Sequence, residues 1–187
     1  AVDDGATVPV YFEPRLIKVG LAEGASDDDI DRAADEATLG LDDAERARIE
    51  ASVAVVNAVY GAPERIETLA AEIVAHWEER RARMVPFLES PGKALIVGGT
   101  REICARLYAA IVALRPDWHS DTLEGGKIKV VYSGSATDQP PVSDHVRRDS
   151  ANSAIKDRLK DAADPLELVI VKDMMLTGFD APPLHTL

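Results

Sequence analysis

Ala94-Leu95-Ile96-Val97-Gly98-Gly99 is a short apolar run that ends in two glycines and is followed by a helical pattern. Such a run is typical of a strand that is buried on both faces of a parallel sheet. Two later runs have the same character, Ile128 to Tyr132 and Leu166 to Val171. Helical segments separate the three runs, and this alternation is the pattern of a parallel sheet with right-handed crossovers. The sequence therefore predicts an α/β fold, a parallel sheet with flanking helices.

Three helices are predicted around these strands. Pro63 suits a first helical position, and apolar residues recur behind it at three- and four-residue steps, which indicates a helix over 63–85. Thr100 can cap the helix that follows the first strand, and another helix passes through Ile155 and Leu159. In the N-terminal part the patterns predict a helix over 42–60 and a short strand over 8–12.

The net charge of −12 is unevenly distributed. Residues 1–92 carry 20 acidic and 9 basic side chains, a net of −11, whereas residues 93–187 carry 13 and 12, a net of −1. Because the field at a surface depends on how charges cluster, these totals neither support nor exclude a nucleic-acid partner. We predict two parts: residues 1–90, a short N-terminal strand with an acidic helical linker subdomain, and residues 91–187, the α/β domain.

Composition limits the cellular location that we expect. The sequence contains no apolar run of about 18 residues, so no membrane span is expected. Ala1-Val2-Asp3-Asp4 has neither the basic nor the apolar region of a secretion signal. The single cysteine, Cys104, excludes an internal disulfide and fits a reducing compartment. These features lead us to expect a cytoplasmic protein.

Several phosphate-binding motifs are absent from the sequence. Gly125-Gly126-Lys127 is followed by Ile128 and lacks the earlier glycine of a triphosphate-binding loop, where Asp121 stands instead. The sequence also lacks G-x-G-x-x-G, which argues against a dinucleotide site. The four histidines have no ligand spacing, so we predict no metal site.

Leu168 to Pro182 reads Leu-Val-Ile-Val-Lys-Asp-Met-Met-Leu-Thr-Gly-Phe-Asp-Ala-Pro. Two simple interpretations are open: the strand could end in an Asp that binds Mg²⁺, and the turn after it could be only a loop. Ligands of open parallel sheets, however, gather beyond the carboxyl ends of the strands. Four residues that can contact ligands follow this strand: Asp173, Thr177, Gly178 and Asp180.

This segment resembles motif V of superfamily 2 helicases and translocases, a strand followed by Asp, then Gly-x-Asp-small-Pro at a fixed interval. Four residues match the motif: Asp173, Gly178, Asp180 and Pro182. The residue sequence of this segment, which continues with Leu-His-Thr, is similar to that of the restriction (motor, or R) subunits of type I restriction-modification enzymes. Three further stretches support the resemblance: residues 8–15, 109–119 and 130–135. The resemblance implies that residues 91–187 are part of the second RecA-like motor domain, ending before motif VI, and that an α-helical insertion precedes it.

The resemblance also implies contacts with DNA. Thr100 and Arg101 stand where motif IV contacts the DNA backbone, although Thr100 can also serve only as a helix cap. Ser133 and Gly134 end the second strand at the same edge and could bind phosphate through backbone N–H groups. Thr177 would approach DNA or relay the nucleotide state.

For the nucleotide, the resemblance implies that Gly178 and Asp180 line the ATP cleft. Asp180 would accept a hydrogen bond from the ribose or orient an arginine; alternatively, it only stabilises its own turn. Lys172 departs from the Thr that is common at its position in other helicases, which weakens the case for a hydroxyl contact there.

For the whole protein, the resemblance implies an ATP-dependent type I site-specific deoxyribonuclease of which this chain is a fragment. The full-length subunit would use ATP and Mg²⁺, act on double-stranded DNA, and assemble with methyltransferase and specificity subunits. No catalytic residue is assigned within the fragment, which alone is expected to bind no cofactor and to be inactive. A stand-alone flavodoxin-like module that binds nucleotide or phosphate is the alternative from a different functional class.

Overall fold

The computed structural model describes Tyr11 and residues 60–86, 92–176 and 178–187. The helices and strands, in chain order, are α1 (Pro63–Met84), β1 (Lys93–Val97), α2 (Arg101–Leu114), β2 (Ile128–Val131), α3 (Asp149–Lys160), β3 (Leu168–Val171) and β4 (Leu184–Thr186). Two short 3₁₀ turns, Pro116–Trp118 and Ser143–His145, lie in the loops. The predicted helix 42–60, the predicted strand 8–12 apart from Tyr11, and Thr177 lie outside the described residues.

The strands form one sheet in the order β2-β3-β1-β4, and every pair is parallel. Val97 of β1 and Val131 of β2 both pair with Val171 of β3, so these three strands end level with one another. This arrangement confirms the predicted α/β fold, and it agrees with the sheet of a RecA-like domain. β4 was not predicted because it is only three residues long and follows two prolines directly.

The sheet is buried on both faces, as the apolar strand sequences predicted. Ala94, Val130 and Ile170 belong to the core cluster that includes α1 and α2. Leu95 and Val169 belong to the cluster on the other face, beneath α3. Alternate residues of a strand point to opposite faces, so a run of apolar residues supplies both cores at once.

Helix α1 confirms the predicted helix over 63–85 and contributes to the core of the sheet. Its buried face comprises Ile66, Ala70, Val74 and Trp77. Trp77, only 3% exposed, packs in the same cluster as the α2 residues Leu107 and Ile111. The division of the chain near residue 90 stays a prediction, but the described part of the N-terminal segment packs directly on the α/β domain.

Candidate functional site

The candidate site lies at the carboxyl edge of the sheet, where the ends of β1 and β2 bring two loops together. Arg101, the first residue of α2, reaches across to the end of β2, where its Nη1 donates a hydrogen bond to the Ser133 carbonyl at 3.1 Å. The structure therefore brings together two residues that the sequence could place only at the ends of separate strands.

Thr100 adopts an extended backbone conformation and caps α2. Its Oγ1 accepts a hydrogen bond from the Ile103 N–H at 3.1 Å, and the residue is 4% exposed. This confirms the capping role that the sequence predicted and fixes where α2 begins. Because α2 begins there, Arg101 is directed toward the end of β2; a contact between Thr100 and DNA stays a prediction.

Arg101 forms an ion pair with Asp138, a residue that sequence analysis did not select. Arg101 Nη1 lies 2.6 Å from Asp138 Oδ2, and the two side chains are 35% and 9% exposed. The same Asp138 oxygen accepts a hydrogen bond from the Ser135 N–H at 2.6 Å. This backbone hydrogen bond and the Arg101 guanidinium together hold the pKa of the Asp138 carboxyl below its usual value. Asp138 thus stays ionised and occupies the strongest donors at this edge.

Ser133 and Gly134 are both exposed at the end of β2. A side chain at position 134 would not fit, because a Cβ there would lie 2.1 Å from Val146 Cγ1. Glycine therefore lets the residue 143–147 segment pack closely against the end of the strand. Gly134 is exposed as a residue, and a phosphate contact through its backbone N–H stays a prediction.

A cluster of buried and half-buried side chains behind these loops holds them in place. Arg147 Nη1 donates to the Val130 carbonyl at 2.8 Å and to the His145 carbonyl at 3.0 Å. The His145 ring lies edge-on to Tyr108, with 4.6 Å between ring centroids, and Tyr132 Oη donates to the Val142 carbonyl at 2.8 Å. Burial, and secondarily the nearby Arg147, lowers the pKa of His145 to about 4. His145 is therefore neutral at physiological pH and acts as a packing residue.

The segment after β3 leaves the carboxyl edge and returns toward the start of β1. Asp173, two residues beyond the end of β3, has a left-handed backbone, φ 55°, and pairs with the adjacent Lys172. By Pro183 the chain has reached the amino end of β1, where the Pro183 carbonyl accepts a hydrogen bond from the Lys93 N–H at 2.8 Å. Gly178 and Asp180 therefore lie on the returning segment, between Asp173 and Pro183.

Gly178 and Asp180 are exposed, whereas their neighbours anchor the turn. Gly178 has a φ of 66°, and no atom lies within 4 Å of where its Cβ would be. Phe179 packs against the core beneath α3, and the Lys160 ammonium lies 5.4 Å from the centre of its ring. Ala181 is 8% exposed. This alternation leaves Gly178 and the Asp180 carboxylate at the surface, accessible to a ligand.

Two classes of feature are missing from the described part of the chain. Within residues 60–86, 92–176 and 178–187, no group of three or more His, Cys, Asp or Glu residues could hold a metal ion. Among the same residues, no helix is both long and apolar enough to cross a membrane.

The structure is that of an α/β protein with a parallel sheet. A cationic side chain, Arg101, lies beyond the carboxyl ends of the strands. Residues 126–187 match the family model of type I restriction enzyme subunit R domain 3. The whole chain is 38% identical over 188 residues to the type I restriction enzyme HindI endonuclease subunit of Haemophilus influenzae. It is also 27% identical, over 98% of its length, to a putative type I restriction enzyme MjaIXP endonuclease subunit of Methanocaldococcus jannaschii. The domain match and the two relatives support the identification of this chain as part of a type I restriction enzyme R subunit.

The matches cover nearly all of this chain but little of the relatives. The chain spans 16% of the length of each of the two relatives. The similarity is thus to one segment of an R subunit, and the activity of a complete R subunit is a matter of proposal.

Proposed function

We propose that this chain is part of the ATP-dependent DNA-translocating subunit of a type I restriction endonuclease. The complete protein would act on double-stranded DNA in a complex with methyltransferase and specificity subunits. Both relatives are named as endonuclease subunits and align along almost the whole chain, which favours this function over a stand-alone nucleotide-binding module. No residue described here is assigned to the nuclease reaction, and we expect the isolated chain to be inactive.

The observation that carries the proposal is the contact between Arg101 and Ser133 at the carboxyl edge of the sheet. A guanidinium and exposed backbone N–H groups are the donors that bind DNA phosphates independently of sequence. Five residues would form part of the DNA track: Thr100, Arg101, Ser133, Gly134 and Thr177. Arg101 would provide the charge, while Ser133 and Gly134 would offer their backbone and hydroxyl groups.

Gly178 and Asp180 would form one wall of the ATP cleft. Both are exposed, and the space next to Gly178 is open, so a nucleotide could approach this turn without displacing the core. The Asp180 carboxylate can accept a hydrogen bond from a ribose hydroxyl or from an arginine. ATP, bound with Mg²⁺ in the complete protein, would supply the free energy for movement. We assign Mg²⁺ no ligand among the described residues.

The DNA track can be tested with Arg101→Gln in the complete protein. Affinity for a DNA duplex is measured between 50 and 200 mM salt, roughly the range over which phosphate contacts dominate its change. Loss of one phosphate contact should weaken binding and reduce the slope of log K against log salt by about 0.9. Arg83→Gln is the matched control, because Arg83 lies on α1 with its side chain 77% exposed. An unchanged slope for Arg101→Gln would contradict the proposed track.

A further inference from the structure

A single carboxylate oxygen accepts hydrogen bonds from Arg101 and from a backbone N–H at the proposed DNA-binding edge. Asp138 Oδ2 accepts from Arg101 Nη1 and from the Ser135 N–H, each at 2.6 Å. A guanidinium paired with a backbone N–H is also the kind of donor set that binds a phosphate oxygen. In this structure, Asp138 therefore uses two donors that a phosphate oxygen could also use.

We infer that Asp138 is an internal competitor for DNA phosphate: its carboxylate occupies Arg101 when DNA is absent and leaves when a phosphate binds. The inference rests on the proposed function, because it needs Arg101 to contact DNA. The inference assigns Asp138 a part in that function: it would set the strength and the lifetime of the contact between Arg101 and DNA without touching DNA itself.

The surroundings of Asp138 allow this exchange. Residues 133–137 are exposed, so the loop can move without opening the core. The turn keeps a backbone hydrogen bond that does not involve the carboxylate, from the Asp138 N–H to the Ser135 carbonyl at 3.1 Å. The Ser135 and Thr137 hydroxyls, 3.0 Å apart, further support the turn. The carboxylate can therefore be displaced into water while the loop keeps its shape.

The electrostatics favour exchange over permanent occupation by either anion. The Arg101 side chain is 35% exposed and the Asp138 side chain 9%, so water reaches the pair from the arginine side and weakens the attraction between the two charges. A protein that moves along DNA must break each phosphate contact repeatedly. A carboxylate that returns to Arg101 as the phosphate leaves replaces the lost hydrogen bonds, which lowers the barrier to release. Asp138 would thus weaken DNA binding and speed each step.

The experiment replaces Asp138 with Asn in the complete protein. Asn preserves the size of the side chain and an oxygen that can accept from the Ser135 N–H, but it removes the negative charge that holds Arg101. We expect DNA to bind about three- to tenfold more tightly at low salt, with the gain shrinking as salt screens the charges. Translocation along DNA should slow in the same variant. Asp138→Ala, which removes the competitor entirely, should change affinity in the same direction.

Two further variants make the result decisive. Asp144→Asn makes the same change in net charge in the same loop, at an exposed residue. If Asp144→Asn tightens DNA binding as much as Asp138→Asn does, net charge explains the gain in affinity. The proposal that Asp138 competes with phosphate is then overturned. In the double variant Arg101→Gln/Asp138→Asn the gain should disappear, because the competition acts through Arg101.

The failure of the inference differs from the failure of the proposed function. If Arg101→Gln leaves DNA affinity and its salt slope unchanged, the DNA track itself is wrong. If Arg101→Gln weakens binding while Asp138→Asn and Asp138→Ala leave it unchanged or weaken it, the track stands and the competitor is wrong. Asp138 would then be a positioning residue that holds Arg101 ready for DNA.

Discussion

Trp77 Nε1 donates a hydrogen bond to Glu167 Oε2 at 3.0 Å, between residues that are 90 positions apart in the sequence. The Glu167 carboxylate, at the start of β3, also contacts Arg81 Nη2 at 3.2 Å and Lys127 Nζ at 3.9 Å. Glu167 is 6% exposed, so its charge depends on these three partners. The contact joins α1 to the sheet through a buried polar group as well as through apolar packing.

Replacement of Glu167 by Gln should lower the free energy of unfolding by about 1–3 kcal/mol, because hydrogen bonds to a charged group are lost. Trp77→Phe removes the indole N–H and should be coupled to it, with a double-mutant interaction energy of about 0.5–3 kcal/mol. Urea denaturation of the single and double variants measures both quantities. Glu79→Gln, at a side chain that is 53% exposed, is the control and should change stability by about 0.5 kcal/mol or less. Additive effects of the Glu167 and Trp77 variants would mean that the hydrogen bond contributes nothing.

The half-buried His145 should make stability fall in mild acid. Burial against Tyr108, together with Arg147, lowers its pKa from the usual 6.5 to about 4. Between these two values the unfolded chain binds a proton that the folded chain does not, so stability decreases as pH falls from 6.5 toward 4 and is unaffected by this group above 6.5. The loss should reach about 1–2 kcal/mol after allowance for the partial exposure of the ring.

His145→Phe keeps an aromatic ring in this position and cannot be protonated. The difference in thermal midpoint between pH 7 and pH 5 should therefore be smaller in this variant than in the parent chain. His185→Gln, at an exposed histidine, should retain the parent's full acid sensitivity. If His145→Phe is as acid-sensitive as the parent, the destabilising proton binds elsewhere.

The sequence was a good guide to the elements and a poor guide to the contacts between loops. The strands and helices could be predicted from the local spacing of apolar residues. Glycine, proline and a capping threonine mark where these elements begin and end, which is why β1, β2 and β3 were found. The pairing of Arg101 with Asp138 joins residues 37 positions apart and leaves no periodic signal. The path from Asp173 back to the amino edge depended on β4, whose three residues are too few to show a pattern.

The proposed role of Asp180 predicts a variant that separates the nucleotide cycle from DNA binding. Asp180→Asn in the complete protein keeps the size of an exposed side chain, so the cost in stability should lie within the ordinary range of about 0.5–3 kcal/mol. Loss of a charge-assisted hydrogen bond should weaken the activated ATP-bound state by about 1.5–3 kcal/mol, which corresponds to a ten- to hundredfold loss of ATP turnover. DNA affinity at fixed salt should change little, because contacts between basic side chains and phosphates dominate that affinity.

ATPase rate, translocation and DNA affinity of the Asp180→Asn variant are compared with those of the parent after equal thermal stability is confirmed. Asp157→Asn is the control, because it removes an exposed carboxylate from α3, away from the segment that follows β3. A fall in turnover confined to Asp180→Asn would assign this carboxylate to the nucleotide cycle. Full ATPase activity in a stably folded Asp180→Asn protein would leave Asp180 as a residue that stabilises only its own turn. In that case the ATP-binding wall would have to be sought elsewhere than at Gly178 and Asp180.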